Sequence, residues 1–137
     1  MERGTGTDLS IALPAQPDSV AVIRRAVTEL ADELGLDRRV VDDLKTVVSE
    51  ACANVVLHAY PDEPEERPLE VDLACREEGL RLTVRDRGCG IQSTGRGRPR
   101  GLRMGFLLIG ALSSCFQLRS RRGGGTELTL LIPLAAN

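Results

Sequence analysis

The sequence predicts an α+β fold: a two-layer sandwich in which a mixed, mostly antiparallel sheet is covered by helices on one face. Three observations carry that expectation. Two consecutive stretches early in the chain repeat apolar residues at helical spacing, five shorter stretches read as strands, and the four strand stretches after the helices come in hairpin-like pairs. The order is strand, two helices, hairpin, loop and helix, hairpin. At 137 residues the chain has the size of one domain, so residues 1–137 are read as a single unit, with the Gly/Thr-rich residues 1–7 expected to be disordered.

Asp8 to Leu13, DLSIAL, alternates and ends at Pro14, which reads as a strand. Asp18 or Ser19 can cap a helix with apolar positions Val20, Ile23, Val27, Leu30 and Leu34, and Gly35 is its expected stop. Asp37 then caps a second helix through Val40, Val41, Leu44, Val47, Val48, Ala51 and Val55, ended by Pro61. Its wide apolar arc marks a central, heavily buried helix. PDEPEERP (61–68) is an acidic surface loop by composition, followed by strands 69–75 and 79–86 about a turn near Gly79. The basic, Gly-rich 95–101 reads as a loop and 102–113 as a short helix. Strands at 115–121 and 126–134, joined by Gly123-Gly-Gly, complete the chain.

Composition excludes several function classes. Net charge is −2 and Lys45 is the only lysine, so no basic field for nucleic acid is present. Tyr60, Phe106 and Phe116 are the only aromatics, too few for a base-stacking platform. Cys52, Cys75, Cys89 and Cys115 form no CxxC pair, which argues against a zinc site or a disulfide framework and for reduced thiols. No apolar run is long enough to span a bilayer and no secretory leader is apparent. The reading is a soluble cytoplasmic protein.

Four constellations can carry chemistry. On the second helix, Glu50, Asn54 and His58 follow one another at intervals of four and so share a face. Glu50 and Asn54 lie about 6 Å apart along the axis. A glutamate there can act as general base and an asparagine oxygen is a hard ligand suited to Mg²⁺; the plain alternative is that both line the helix's solvated edge. For His58 the plain reading is an imidazole favoured by the negative end of the helix dipole. Next, VRDRGCGI (84–91) ends a strand on Asp86 with glycines at 88 and 90, where an aspartate can accept from an exocyclic amine; the alternative is an ordinary Asp/Gly turn. GLRMGFLLI (101–109) leads glycines into a helix, a phosphate-favouring approach or merely a cap. Finally, Gly123-Gly-Gly-Thr126 precedes the last strand and can equally be a plain hairpin turn.

Their order resembles the Bergerat ATP-binding fold of the GHKL superfamily, from about Asp8 to Leu134. SEACANVVLHAY (49–60) is similar to the anti-sigma serine kinases of the RsbW and SpoIIAB type. The resemblance implies Glu50 as base towards a protein serine and Asn54 as ligand of Mg²⁺ on the ATP phosphates. It implies Asp86 as acceptor of the adenine amino group, with Gly88, Gly90 and Ile91 shaping the pocket and Thr126 supporting the base. Gly101 and Gly105 match lid-hinge glycines. Arg103 stands where relatives commonly have glycine; either it alters lid closure or it meets the phosphates, as Arg96, Arg98 or Arg100 could.

The function so implied is an anti-sigma factor with serine/threonine kinase activity. It would move the ATP γ-phosphate to a serine of a STAS-domain anti-anti-sigma partner and sequester an RNA polymerase sigma factor. ATP and Mg²⁺ are the implied cofactors and a homodimer is among the implied assemblies; nucleic acid and membrane are not partners. Two alternatives stand beside it: an ATP-binding anti-sigma module without phosphate turnover, and a stand-alone GHKL ATPase.

Overall fold

The computed structural model describes residues 8–59, 68–88, 112–122 and 124–134. The elements are β1 (Leu9–Pro14), α1 (Pro17–Glu33), α2 (Arg38–Asn54) with a π-helical turn (Val55–Ala59), β2 (Pro68–Arg76), β3 (Gly79–Asp86), β4 (Cys115–Ser120) and β5 (Thr126–Ile132). The strands form one sheet in the order β1-β2-β3-β5-β4. All four pairings are antiparallel, so among the described strands the sheet is antiparallel throughout. The inner position of β5, between β3 and β4, is what carries Thr126 to the register partner of Asp86.

Local chemistry sets the helix ends. α1 starts one residue before the expected caps, because Pro17 suits the first turn: its fixed φ is helical and its missing N–H has no helical acceptor to lose. Ser19, a candidate cap, is instead buried within the helix. α1 closes as expected at Gly35 (φ 72°), with Leu36 N–H donating to the Ala31 carbonyl at 3.2 Å and Gly35 N–H to Asp32 at 3.0 Å, the paired bonds of a Schellman stop. α2 starts after Asp37, whose side chain makes no capping bond.

One difference bears on the site. The second helix is regular only to Asn54; Val55–Ala59 then widen into a π turn. That turn is bonded from i to i+5, a form frequent at functional sites.

The core lies between helices and sheet. Ile23, Val27 and Ala31 of α1 and Val40, Leu44, Val47 and Val48 of α2 are buried with Leu69, Val71 and Leu73 of β2, Leu80, Leu82 and Val84 of β3, and Leu128, Leu130 and Ile132 of β5. Alternation sends the other residues to the opposite face. There Glu70, Arg85, Glu127 and Arg119 are successive register partners across four strands, a row of alternating charge. Arg85 is bonded at 2.7 Å to Asp72 and 2.9 Å to Glu127. The helices therefore cover one face, as the sequence predicts. At the far end Arg39 of α2 donates to the Pro133 carbonyl at 3.0 Å and pairs with Asp43, tying the chain after β5 to the helix layer. No helix of the described residues is long and apolar enough to cross a membrane.

The expected helix at 102–113 (apart from Leu112 and Ser113), the loops at 61–67 and 95–101, and residues 1–7 lie outside the described residues.

Candidate functional site

Among the described residues the buried polar side chains are Ser19, Thr83, Asn54 and Asp86, and the last two are the ones at expected site positions. Asp86 shares strand parity with Leu82 and Val84, so it belongs to the helix-covered face, and only 5% of it is exposed. Asn54, the last regular residue of α2, is 8% exposed. Burying a carboxylate or an amide among aliphatic side chains costs free energy unless it is bonded. The two ends meet that demand differently.

At the strand end the bonding is internal. The Asp86 carboxylate accepts from the Gly88 N–H at 2.9 Å and from the backbone N–H of Thr126. Burial nevertheless pushes its pKa above the ordinary value; the two amides and the positive charge of Arg121 offset this only in part. Arg121 Nη1 also donates to the Asp86 carbonyl at 3.0 Å and lies 3.8 Å from Glu70 of β2. The Gly124–Gly125 turn packs on the same segment. Gly125 has φ 105°, and a Cβ there would fall onto the Asp86 carbonyl oxygen, with the Arg87 Cα 2.7 Å away. Glycine is required at that position both by conformation and by space.

At the helix end the bonding is incomplete. Asn54 Nδ2 is buried with no hydrogen-bond partner among the described residues. Glu50, one turn earlier, is half-buried and makes no ion pair among them. Buried amides in folded chains are ordinarily hydrogen-bonded, so this group is open to a partner beyond the described residues. Its two terminal atoms are close in shape, so the amide can present either a donor to phosphate oxygen or a carbonyl oxygen to a hard cation.

Asp86, Gly88 and Thr126 are thus brought together as the sequence predicts, and Asn54 stands on the same helix–sheet interface. Gly90, Ile91, Gly101, Arg103, Gly105 and Cys89, the arginines at 96, 98 and 100, and the side chain of His58 lie outside the described residues. Cys52 and Cys75 are free, buried thiols, and burial pushes the Cys52 thiol up to about 12, so it is no nucleophile at neutral pH. Among the described residues no cluster of three His, Cys, Asp or Glu could hold a metal. A divalent ion at Asn54 would take its remaining ligands from phosphate and water, the usual manner of Mg²⁺.

Sequence reasoning missed Glu70 and Arg121, and it left Gly124 and Gly125 open between a site role and a plain hairpin turn. Both charged residues sit in strands or turns where charge is commonplace. Only the β3–β5 pairing gives them meaning.

Comparison with known proteins points the same way. Residues 13–132 match the histidine kinase-like ATPase domain. The serine-protein kinase RsbW of Bacillus velezensis is 35% identical over 80 residues, 58% of this chain and 49% of that protein. RsbW of Bacillus subtilis is 34% identical over a similar span. The match thus spans about half the length of these curated relatives. The anti-sigma F factor of Pasteuria penetrans is 32% identical over 88% of this chain and 86% of its own length. The crystal structure of the RsbU and RsbW domains of a Mycobacterium tuberculosis protein superposes with a TM-score of 0.70 at 25% identity, covering 92% of this chain and 31% of that one.

Proposed function

The chain belongs to the histidine kinase-like ATPase domain family, and from that premise we propose that it is an anti-sigma factor with serine/threonine protein kinase activity. In this reading residues 1–137 make one ATP-binding domain acting in the cytoplasm. It phosphorylates a serine of a STAS-type anti-anti-sigma protein and, towards a second partner, sequesters a sigma factor. The names of the similar proteins, serine-protein kinase RsbW and anti-sigma F factor, support this choice. The observation that carries it is the orphaned amide of Asn54, one helical turn from Glu50. Among the described residues the Asn54 Nδ2 has no hydrogen-bond partner, and Glu50, one turn away, makes no ion pair.

The residues fit MgATP. Asp86, when ionised, has only acceptors to offer and suits the exocyclic amine of adenine. Thr126, its register partner, lines the same strand end. Asn54 would hold Mg²⁺, which when bound neutralises charge on the phosphates. Glu50 then orients a substrate serine and accepts its hydroxyl proton as the oxygen bonds to the γ-phosphorus and ADP leaves. Such catalysis is mainly positioning and charge stabilisation, so the groups need little beyond correct placement.

The test is transfer of labelled γ-phosphate to a cognate STAS protein. Wild type is expected to label it, and Glu50→Gln to retain ATP binding while transfer falls by about 10²–10⁴. Equal transfer by wild type and variant would remove Glu50 from its role; labelling of no acceptor, with ATP still bound, would favour a binding module that senses ATP without turnover.

A further inference from the structure

The residue with most to say about the base pocket is one no motif singles out. Arg121 follows β4 and closes the last hairpin, its N–H donating to the Gly125 carbonyl at 2.9 Å and its carbonyl accepting from Gly124 at 3.1 Å. Its side chain turns back across the sheet, donating to the Asp86 carbonyl at 3.0 Å and lying 3.8 Å from Glu70 Oε1. The other Glu70 oxygen lies 3.7 Å from Arg87, the residue after Asp86. One glutamate thus brackets the end of β3 through two arginines, and Arg121 links β2 and the last hairpin to the Asp86 backbone.

We propose that Arg121, anchored by Glu70, is a specificity-determining positioning residue that makes the pocket prefer a 6-amino purine over a 6-oxo purine. This rests on the reading of Asp86 as the base acceptor. An ionised carboxylate accepts from an amine and repels a carbonyl oxygen, whereas a protonated one can donate to that carbonyl. Selectivity therefore depends on keeping Asp86 charged and fixed. Burial works against the charge, and the Gly88 and Thr126 amides work for it. The charged side chains at this strand end are Glu70 on β2, Arg87 just after β3 and Arg121 on the hairpin. Of these, Arg121 supplies the Coulombic support. A site built to bond a donor rejects the analogue that lacks it because its buried acceptor is left unpaired.

The experiment titrates ATP and GTP into wild type, Arg121→Met, Arg121→Lys and Glu70→Gln from acid to neutral pH. In Arg121→Met the ATP-over-GTP ratio is expected to narrow about tenfold, the effect of one lost charged contact. The acid limb of ATP binding should begin at a higher pH. Arg121→Lys should restore the acid limb and part of the ratio, which a merely structural role would not do. Glu70→Gln, the milder change if Arg121→Met fails to fold, should narrow the ratio less but in the same direction. A selective wild type whose ratio and pH profile are shared by the folded variants would overturn the inference and leave the ATP reading standing. A wild type that binds no ATP would overturn both.

Discussion

The two ends of the buried polar interface are built on opposite principles. At the end of β3 the chain bonds itself. Asp86 takes two backbone amides, its carbonyl takes Arg121, and Gly125 lies against it so closely that no side chain fits. At the end of α2, among the described residues, the Asn54 amide keeps an unmet donor and Glu50 makes no ion pair, and the helix widens into a π turn. Under the proposed function, the difference separates a preformed half-site for the base from a half-site for the phosphates that needs its ligand. A base pocket gains selectivity from rigidity, because a displaced acceptor reads nothing. A phosphate site must admit a charged, hydrated group and release it, and prior internal pairing would compete with that. π turns inserted in α-helices are frequent at functional sites, consistent with this division.

The contrast can be broken by experiment. The largest effect is expected at the closed end. Gly125→Val puts a β-branched side chain on a positive φ and onto the Asp86 carbonyl, and should cost about 3 kcal/mol or more in denaturant unfolding. A cost below about 1 kcal/mol would mean the strand end yields easily and is not preformed.

At the open end the expected sign is reversed. Asn54→Leu replaces an unsatisfied buried amide with an apolar group of similar size and should stabilise the ligand-free fold by about 1 kcal/mol. It should also abolish the stabilisation of about 2.7 kcal/mol that ATP gives at a hundred times its dissociation constant. Destabilisation without loss of the ATP shift would place Asn54 among structural residues.

Protonation of Asp86 sharpens the comparison further. Its folded pKa lies above the ordinary 3.8, so the folded chain binds this proton more tightly than the unfolded chain does. Its contribution to stability is most favourable below 3.8 and falls as pH rises through the folded value, the reverse of a salt-bridged aspartate. Stabilisation by ATP should grow over the same window, because the base needs the ionised form. Melting curves across that range, with Asp86→Asn as control, should show the ligand-free slope vanish in the variant; a persistent slope would assign it elsewhere.

The smallest effect is at Glu50. A half-buried residue with no partner among the described residues should tolerate Glu50→Gln within about 0.5 kcal/mol, measured by thermal unfolding of the ligand-free protein.

Much of this was legible beforehand, for identifiable reasons. Alternation in GLRLTVRD gave β3 its limits to the residue, because one buried face imposes a period of two. Asn54 and Asp86 were legible because a polar group in an apolar pattern is conspicuous. The end of α2 was misjudged: sequence periodicity runs on towards Pro61, and a π turn differs from an α turn by one residue in backbone bonding, which side-chain pattern does not encode. Arg121 was invisible for another reason. Its meaning lies in a bond to a residue 35 positions away.

The sequence by itself determined the element types, the face of each that is buried and the polar residues placed there against hydrophobic expectation. Those follow from local spacing, and local spacing is written in the chain. Only the tertiary structure decided that β5 lies beside β3, that Gly125 must be glycine, and that Glu70 and Arg121 brace Asp86. Strand order is a choice among pairings of similar local energy, and the packing of the whole core makes it.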